Sequence, residues 1–266
     1  MIIVGEKINS SIKEARSFME GGDKEALQNL AKAQAAAGAD YIDINGGCFR
    51  EKEPEMLVWL SKLVREAVDK PLCLDSPNPA AVALALKSSA GEKTLINSIS
   101  AEKERWNGIL PLVLDYRASV IALCMNDDGM PETAEERLRI ADWMITELTG
   151  KGVPASDIFI DPMVRPLGTG THYALAALET IRRVMREFPG VHTICGLSNI
   201  SFGMPARYTV NQAFLVMGIQ AGLDSAILNP LDKRLTSLLY AAEALQNKDP
   251  YCLNFISAFR AGKIEP

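Results

Sequence analysis

Three aspartates stand directly behind short apolar runs: Asp43 after Tyr41-Ile42, Asp75 after Leu72-Cys73-Leu74 and Asp161 after Ile158-Phe159-Ile160. A carboxylate at the rim of a core is costly to desolvate unless it meets a partner. Neighbouring cations are few: Lys7, Arg165 and Arg207 lie in flanking segments. Amides hold similar posts at Asn45, Asn97, Asn126, Asn199 and Asn229, and Glu6 and Asn9 follow the first run. Such a set calls for a ligand that donates several hydrogen bonds. A carboxylate accepts two at once from an amino group and the adjoining ring N–H, and an amide suits an edge carrying one donor and one acceptor. A reduced pterin has both edges, in its 2-amino/N3–H pair and in N1 with N8–H; any polar heterocycle so equipped meets the same demand. Against this stands the commoner role of Asp, Asn and Ser at strand ends, which is to form turns and cap the next helix.

To act together these residues need a scaffold that gathers the ends of the runs. Eight runs occur: Ile2 to Val4, Tyr41 to Ile44, Leu72 to Leu74, Thr94 to Ile96, Val120 to Leu123, Ile158 to Ile160, Thr193 to Cys195 and Ala226 to Leu228. They are nearly continuous in apolar character, as strands covered on both faces are. Amphipathic segments separate them, among them Glu25 to Ala37, Glu55 to Val68 and Thr133 to Leu148, the last opening on a Thr133/Glu136 capping box. Parallel strands need crossover helices, and eight strand–helix units over 266 residues predict an α/β fold, a (β/α)8 TIM barrel, as one domain over 1–266. An open doubly wound sheet would want a glycine-rich first turn; here it reads Gly5-Glu6-Lys7-Ile8-Asn9. In a barrel the carboxyl ends of all strands converge on one face, so the polar residues form one cup.

Composition narrows the class. Lys plus Arg is 28 and Asp plus Glu 33, a net charge of −5, which offers no polybasic footprint for nucleic acid or for an anionic membrane. The apolar runs are far shorter than the ~20 residues of a membrane span. The first residues show no basic, apolar and small-residue succession of a leader. Five widely spaced cysteines suggest neither a disulfide framework nor a zinc pair, so a cytoplasmic protein without a bound metal is expected. Cys73, Cys124 and Cys195 lie within the apolar runs and read as core packing. The loops after strands seven and eight lack a glycine-rich phosphate cradle, which disfavours a phosphate substrate.

Six segments in this order and spacing resemble the pterin-binding methyltransferase family, whose members transfer the methyl group of 5-methyltetrahydrofolate to a corrinoid protein, as in acetogenic anaerobes. They are Gly5-Glu6-Lys7-Ile8-Asn9, Asp43-Ile44-Asn45, Cys73-Leu74-Asp75-Ser76, Ile96-Asn97-Ser98, Asp161-Pro162 and Gly196-Leu197-Ser198-Asn199. Arg207 and Asn211 downstream and the closing Tyr251-Cys252 extend the likeness over the whole chain. The resemblance implies that Asp75, Asn97 and Asp161 hold the pterin and that Gly196 and Ser198 shape the adjoining wall. Asn199 becomes the mobile amide at N5, the atom that bears the methyl, and Asp75 and Asn199 become the catalytic pair. Glu6, Asn9, Asp43 and Asn45 match as site or as support, and Arg207 as a loop contact or a solvated surface side chain. Also implied are tetrahydrofolate and its methyl form as substrate, a corrinoid on a separate cobalamin-carrying protein, and a homodimer. The cobalt-ligating D-x-H-x-x-G pattern is missing: two residues before His172 and His192 stand Gly170 and Gly190.

The chemistry follows from the leaving group. A tertiary amine leaves poorly, so N5 must gain positive character as Co(I) attacks the methyl carbon, through hydrogen bonding or protonation that strengthens in the transition state. An asparagine is no strong acid, so the proton reaches N5 from solvent through a network anchored by Asp75, Asn97 and Asn199. Two rivals share the cup. Dihydropteroate synthases resemble G-x-S-R-K after strand seven and D-I-G-G-E-S-T after strand two, where this chain has Gly196-Leu197-Ser198-Asn199 and Asp43-Ile44-Asn45-Gly46-Gly47. A folate-binding protein without catalysis would keep the cup but has no evident need of Asn199.

Overall fold

A computed structural model describes residues 1–88 and 93–265. Its strands are β1 (Ile2–Asn9), β2 (Tyr41–Asn45), β3 (Leu72–Asp75), β4 (Thr94–Ala101), β5 (Ser119–Asn126), β6 (Ile158–Asp161), β7 (His192–Thr193) and β8 (Ser225–Leu228). The helices are α1 (Lys13–Gly21), α2 (Lys24–Ala36), α3 (Glu53–Ala67), α4 (Pro79–Ser88) and α5 (Lys103–Tyr116), then α6 (Ala134–Gly150), α7 (Tyr173–Glu187), α8 (Arg207–Ala221), α9 (Lys233–Leu245) and α10 (Leu253–Arg260). The strands pair in parallel in the order β7-β6-β5-β4-β3-β2-β1-β8, and a parallel bridge between Gly196 and Ile227 joins the two ends. The fold is the expected α/β TIM barrel.

The runs are continuous because both faces are covered. Val4, Tyr41, Cys73, Leu95, Ile121, Phe159 and Ile194 fill the barrel interior. Alternate residues such as Ile42, Leu74, Ile96, Ala122 and Ile160 pack outward under the helices. The Thr133–Glu136 capping box opens α6 with both reciprocal bonds in place. Ten helices, rather than one per strand, occur among the described residues: α1 is inserted ahead of α2 and α10 follows α9. In α9, Leu235, Leu239 and Ala242 cover the barrel, whereas α10 buries only Ala258 and leaves Leu253, Ile256 and Phe259 exposed.

Two departures from the expected runs bear on the cup. Strands β1, β4 and β5 continue past their apolar runs, and the ladder shifts register between Gly5 and Ile8 and again after Asn97. A bulge of this kind re-aims the side chains near it. Strand β7 instead stops at Thr193, two residues short of the expected end. Beyond it the chain keeps single bonds, Ile194 N–H to the Ile160 carbonyl and Ile227 N–H to the Cys195 carbonyl, both 2.9 Å. Asp224 fastens the lower end of this seam: it accepts the Thr193 N–H (2.9 Å) and the Ser225 hydroxyl (3.2 Å) and meets His192 Nδ1 at 2.6 Å.

Candidate active site

Six of the runs place a residue in the cup two positions beyond the interior apolar one. Val4 is followed in this way by Glu6, Tyr41 by Asp43, Cys73 by Asp75, Leu95 by Asn97, Phe159 by Asp161 and Ile194 by Gly196. Side chains alternate along a strand with period two, so these residues form the next layer of the same interior. They line a cavity of about 850 Å³ together with Asn9, Ser198, Asn199 and Arg207, a volume suited to a small heterocyclic ligand. Of the expected site residues only Asn45 is not part of the lining.

Asn45 works behind the wall. Its Nδ2 donates to Asp75 Oδ2 (2.9 Å) and to the Asp75 carbonyl (3.2 Å). Its Oδ1 accepts the Ser10 hydroxyl (2.9 Å) and the Gly47 N–H (3.0 Å), which fixes the amide's orientation. Asn45, Asp75 and Asn97 are register neighbours across β2, β3 and β4, so one carboxylate and one amide enter the cup side by side. Asp161 lies three strands away, its Oδ1 held by the Met163 N–H at 2.7 Å. Asn9 lines the cavity, yet its Oδ1 is occupied by the Ser11 N–H (2.9 Å) and hydroxyl (2.6 Å), a local turn contact.

Asn199 sits in a single 3-10 turn, Leu197–Ser201, between β7 and α8. A Cβ on Gly196 would come within 3.0 Å of Asn199 Nδ2, so a residue with a side chain would press on the amide. Arg207 braces the turn from α8, donating Nη2 to the Ser198 carbonyl (2.8 Å) and Nε to the Ser201 hydroxyl (3.1 Å). Arg207 is exposed and lines the cavity, and these two bonds tie it to the turn. Arg165 is taken up elsewhere, by Glu132 at 2.7 Å and by the Tyr173 ring.

Five carboxyls line the cavity, Glu6, Asp43, Asp75, Asp161 and Asp232, and among the described residues none of them enters an ion pair. Burial pushes Glu6 up to about 7, against the pull of Lys7, a Ser198 hydrogen bond and Arg207. Burial raises Asp161 to about 7, opposed by the Met163 N–H and by Arg137. Asp75 rises to about 6 by burial, restrained by Asn45 and Arg105. Asp43, 1% exposed and with Oδ1 unpartnered, is driven well above the carboxylate range by burial and then by the charge of Asp75. Near neutral pH the folded cup therefore holds protons that the unfolded chain releases.

Folded-state values above the unfolded ones mean that stability falls as pH rises through about 6 to 7. The ligand-free protein is expected to melt higher at pH 6 than at pH 8, by about 2 kcal/mol or about 5 °C. Thermal scans at the two pH values check this; a flat or opposite trend refutes the shared protonation of the cup.

The sequence reading missed the cations on the helix side. Arg105 of α5 donates Nε to the Ser98 carbonyl (3.0 Å) and Nη2 to the Ser98 hydroxyl (3.2 Å), bracing the strand just past Asn97. Arg137 of α6 is 0% exposed. Neither is near its carboxylate in sequence, so spacing gave no signal. Phe202 and Tyr208, both 67% exposed, line the mouth on either side of the segment that follows Asn199, and were not singled out.

Residues 13–229 match the family model described as pterin binding enzyme. The whole chain is 36% identical to a methylcorrinoid:tetrahydrofolate methyltransferase of Eubacterium limosum, over 100% of this chain and 98% of that protein. It is 32% identical to a methionine synthase of Mycobacterium tuberculosis over 86% of this chain but only 20% of that much longer protein. Among solved structures, dihydropteroate synthase from Xanthomonas albilineans in complex with 7,8-dihydropteroate superposes with a TM-score of 0.73 at 22% identity, covering 92% of this chain and 93% of that one. At that identity the likeness speaks for the fold.

Proposed function

The chain belongs to the pterin-binding enzyme family, and we propose that it is a methyltransferase moving a methyl group between N5 of tetrahydrofolate and the cobalt of a corrinoid carried by a separate protein. The observation that carries this reading is the polar layer of the barrel: Asp75 with Asn97 on one side, Asp161 three strands away, and Asn199 on the wall between β7 and α8. Asn97 and Asp75 suit the mixed N1/N8–H edge of the pterin, and Asp161 suits the 2-amino/N3–H donor pair. The relative from Eubacterium limosum, whose name pairs a methylcorrinoid with tetrahydrofolate, supports the same two substrates.

In the forward direction the N5–CH3 bond breaks as a methyl–cobalt bond forms. The electron pair of Co(I) becomes that bond, and the N5 pair stays on nitrogen and takes up a proton. Asn199 donates to N5 as its basicity grows in the transition state, Gly196 leaves the amide room to move, and Arg207 anchors its turn. Asp75, set by Asn45, holds the N1/N8–H edge of the pterin and so fixes where N5 lies. The reverse direction uses the same contacts. The open mouth, rimmed by Phe202 and Tyr208, admits a large flat ring. The chain's two histidines are engaged away from the cavity, His192 with Asp224 and His172 with Glu132.

The decisive experiment is an anaerobic stopped-flow assay with Co(I) cobalamin, 5-methyltetrahydrofolate and the protein. Protein-dependent decay of the Co(I) band with growth of methylcobalamin is the expected result. No binding of 5-methyltetrahydrofolate by calorimetry would overturn the proposal, and binding without transfer to either free or protein-bound corrinoid would reduce it to a folate-binding protein.

The remaining features of the proposal are one domain spanning 1–266, a cytoplasmic setting and a homodimer. Five free cysteines, three of them buried, agree with a reducing compartment, and no helix among the described residues is long and apolar enough to cross a membrane. The uncovered face of α10 supports a self-contact, which light scattering on the purified protein tests.

A further inference from the structure

Helix α6 turns a stripe of Arg137, Ala141, Met144, Ile145 and Leu148 toward the barrel, and all five are buried. Four of them are apolar, as a core-facing stripe should be. The first is a guanidinium with no exposed surface. Its Nε and Nη2 both reach the Pro131 carbonyl at a long 3.4 Å, and Nη1 is buried without a hydrogen-bond partner. Burying a charge this poorly bonded is strongly unfavourable unless an opposite charge compensates it.

The groups around Arg137 leave one candidate for that charge. Glu132 is exposed and already paired with Arg165. Cys124 of β5 also faces Arg137, but burial raises its thiol far out of the ionising range. Asp161 remains, on the adjacent strand and on the cavity side of the wall. The thiols of Cys124 and Cys195 beside Asp161 are buried and neutral, and the groups that share its cavity, Glu6, Lys7, Asp43, Asp75, Arg207 and Asp232, form no ion pair with it.

We infer that Arg137 is a positioning residue whose charge, acting through the barrel wall, keeps Asp161 ionised and therefore able to accept the donor edge of the pterin. This rests on the reading that Asp161 holds the pterin. Arg137 touches no substrate. It sets which form of Asp161 the ligand meets, and so the pH range in which the protein binds folate.

The test is the dissociation constant of 5-methyltetrahydrofolate as a function of pH, by calorimetry, for the wild type, Arg137→Met, Arg137→Gln and Arg137→Lys. In the wild type, binding weakens below about pH 7 as Asp161 takes up its proton. Removing the neighbouring charge in the Met and Gln variants is expected to move that limb upward by about one pH unit, about a fivefold loss of affinity at pH 7 that grows to about tenfold at pH 6. Lys keeps the charge and should hold the limb near its original place. A merely structural role would lower the melting temperature and leave the limb where it was, and that result overturns the inference.

Should the neutral variants fail to fold, Asp161→Asn decides without any ligand. It leaves the buried guanidinium uncompensated, so it should melt lower at pH 8 and recover when Arg137→Met is added. A double variant no more stable than Asp161→Asn overturns the pairing. Failure of the wild type to bind 5-methyltetrahydrofolate would strike the functional proposal instead, and the coupling of these two side chains would still be read from melting.

Discussion

Asp161→Asn is expected to weaken 5-methyltetrahydrofolate binding by about 10²- to 10³-fold at pH 8. The carboxylate offers two acceptor oxygens to two adjacent donors, and hydrogen bonds to a charged group contribute about 1.5–3 kcal/mol. The amide keeps one acceptor and sets an NH2 against a ligand N–H, so one donor on each side goes unpaired at about 1–3 kcal/mol more. Isosteric replacement leaves the cavity's shape alone, and Asp161 is only 8% exposed, so water cannot readily fill the missing role. Calorimetric titration of wild type and variant measures the effect. A loss below about threefold would remove Asp161 from the pterin site.

The second large effect falls on rate. Asn199→Ala is expected to lower kcat by about 10²-fold with a smaller loss of substrate affinity, because the amide's bond to N5 strengthens only as the methyl group departs. The wall itself should survive: Ser198 and Ser201 still bind Arg207 through the Ser198 carbonyl and the Ser201 hydroxyl, neither of which involves the amide side chain. Single-turnover decay of Co(I) at saturating 5-methyltetrahydrofolate separates the two quantities. Equal losses in affinity and rate would make Asn199 an ordinary binding contact, and no loss in either would exclude it from the reaction.

Much of this was legible before any coordinates. Continuous β-branched runs gave the barrel because both faces of each strand are covered, and the polar residues behind them gave the cup. A finer signal lay in the same runs: Val4/Glu6, Tyr41/Asp43, Cys73/Asp75, Leu95/Asn97 and Phe159/Asp161 are each two apart, the period that keeps side chains on one face. What stayed hidden depends on contacts between distant segments. Arg137 stands 24 residues before Asp161 and resembles any first-turn helix residue. Asn45 and Asn9 look alike as strand-end amides, and only their partners separate them, one bonded to Asp75 and the other to Ser11. The early end of β7 was equally invisible, because Ile194 and Cys195 have strand character and lack only a neighbouring ladder.

That short strand makes the barrel mechanically uneven. Seven of its seams are backbone ladders, while the eighth is a clasp: Asp224 at one end and the lone Gly196–Ile227 bridge at the other. A hoop gives first at its clasp, and regions with fewer backbone bonds open at lower free energy. Asp75 and Asn97 are mounted on the stiff arc, and Asn199 hangs from the compliant one. The molecule thereby separates grip from handover: the pterin is held by rigid staves, and the amide that accompanies the departing methyl rides on the part of the wall that yields.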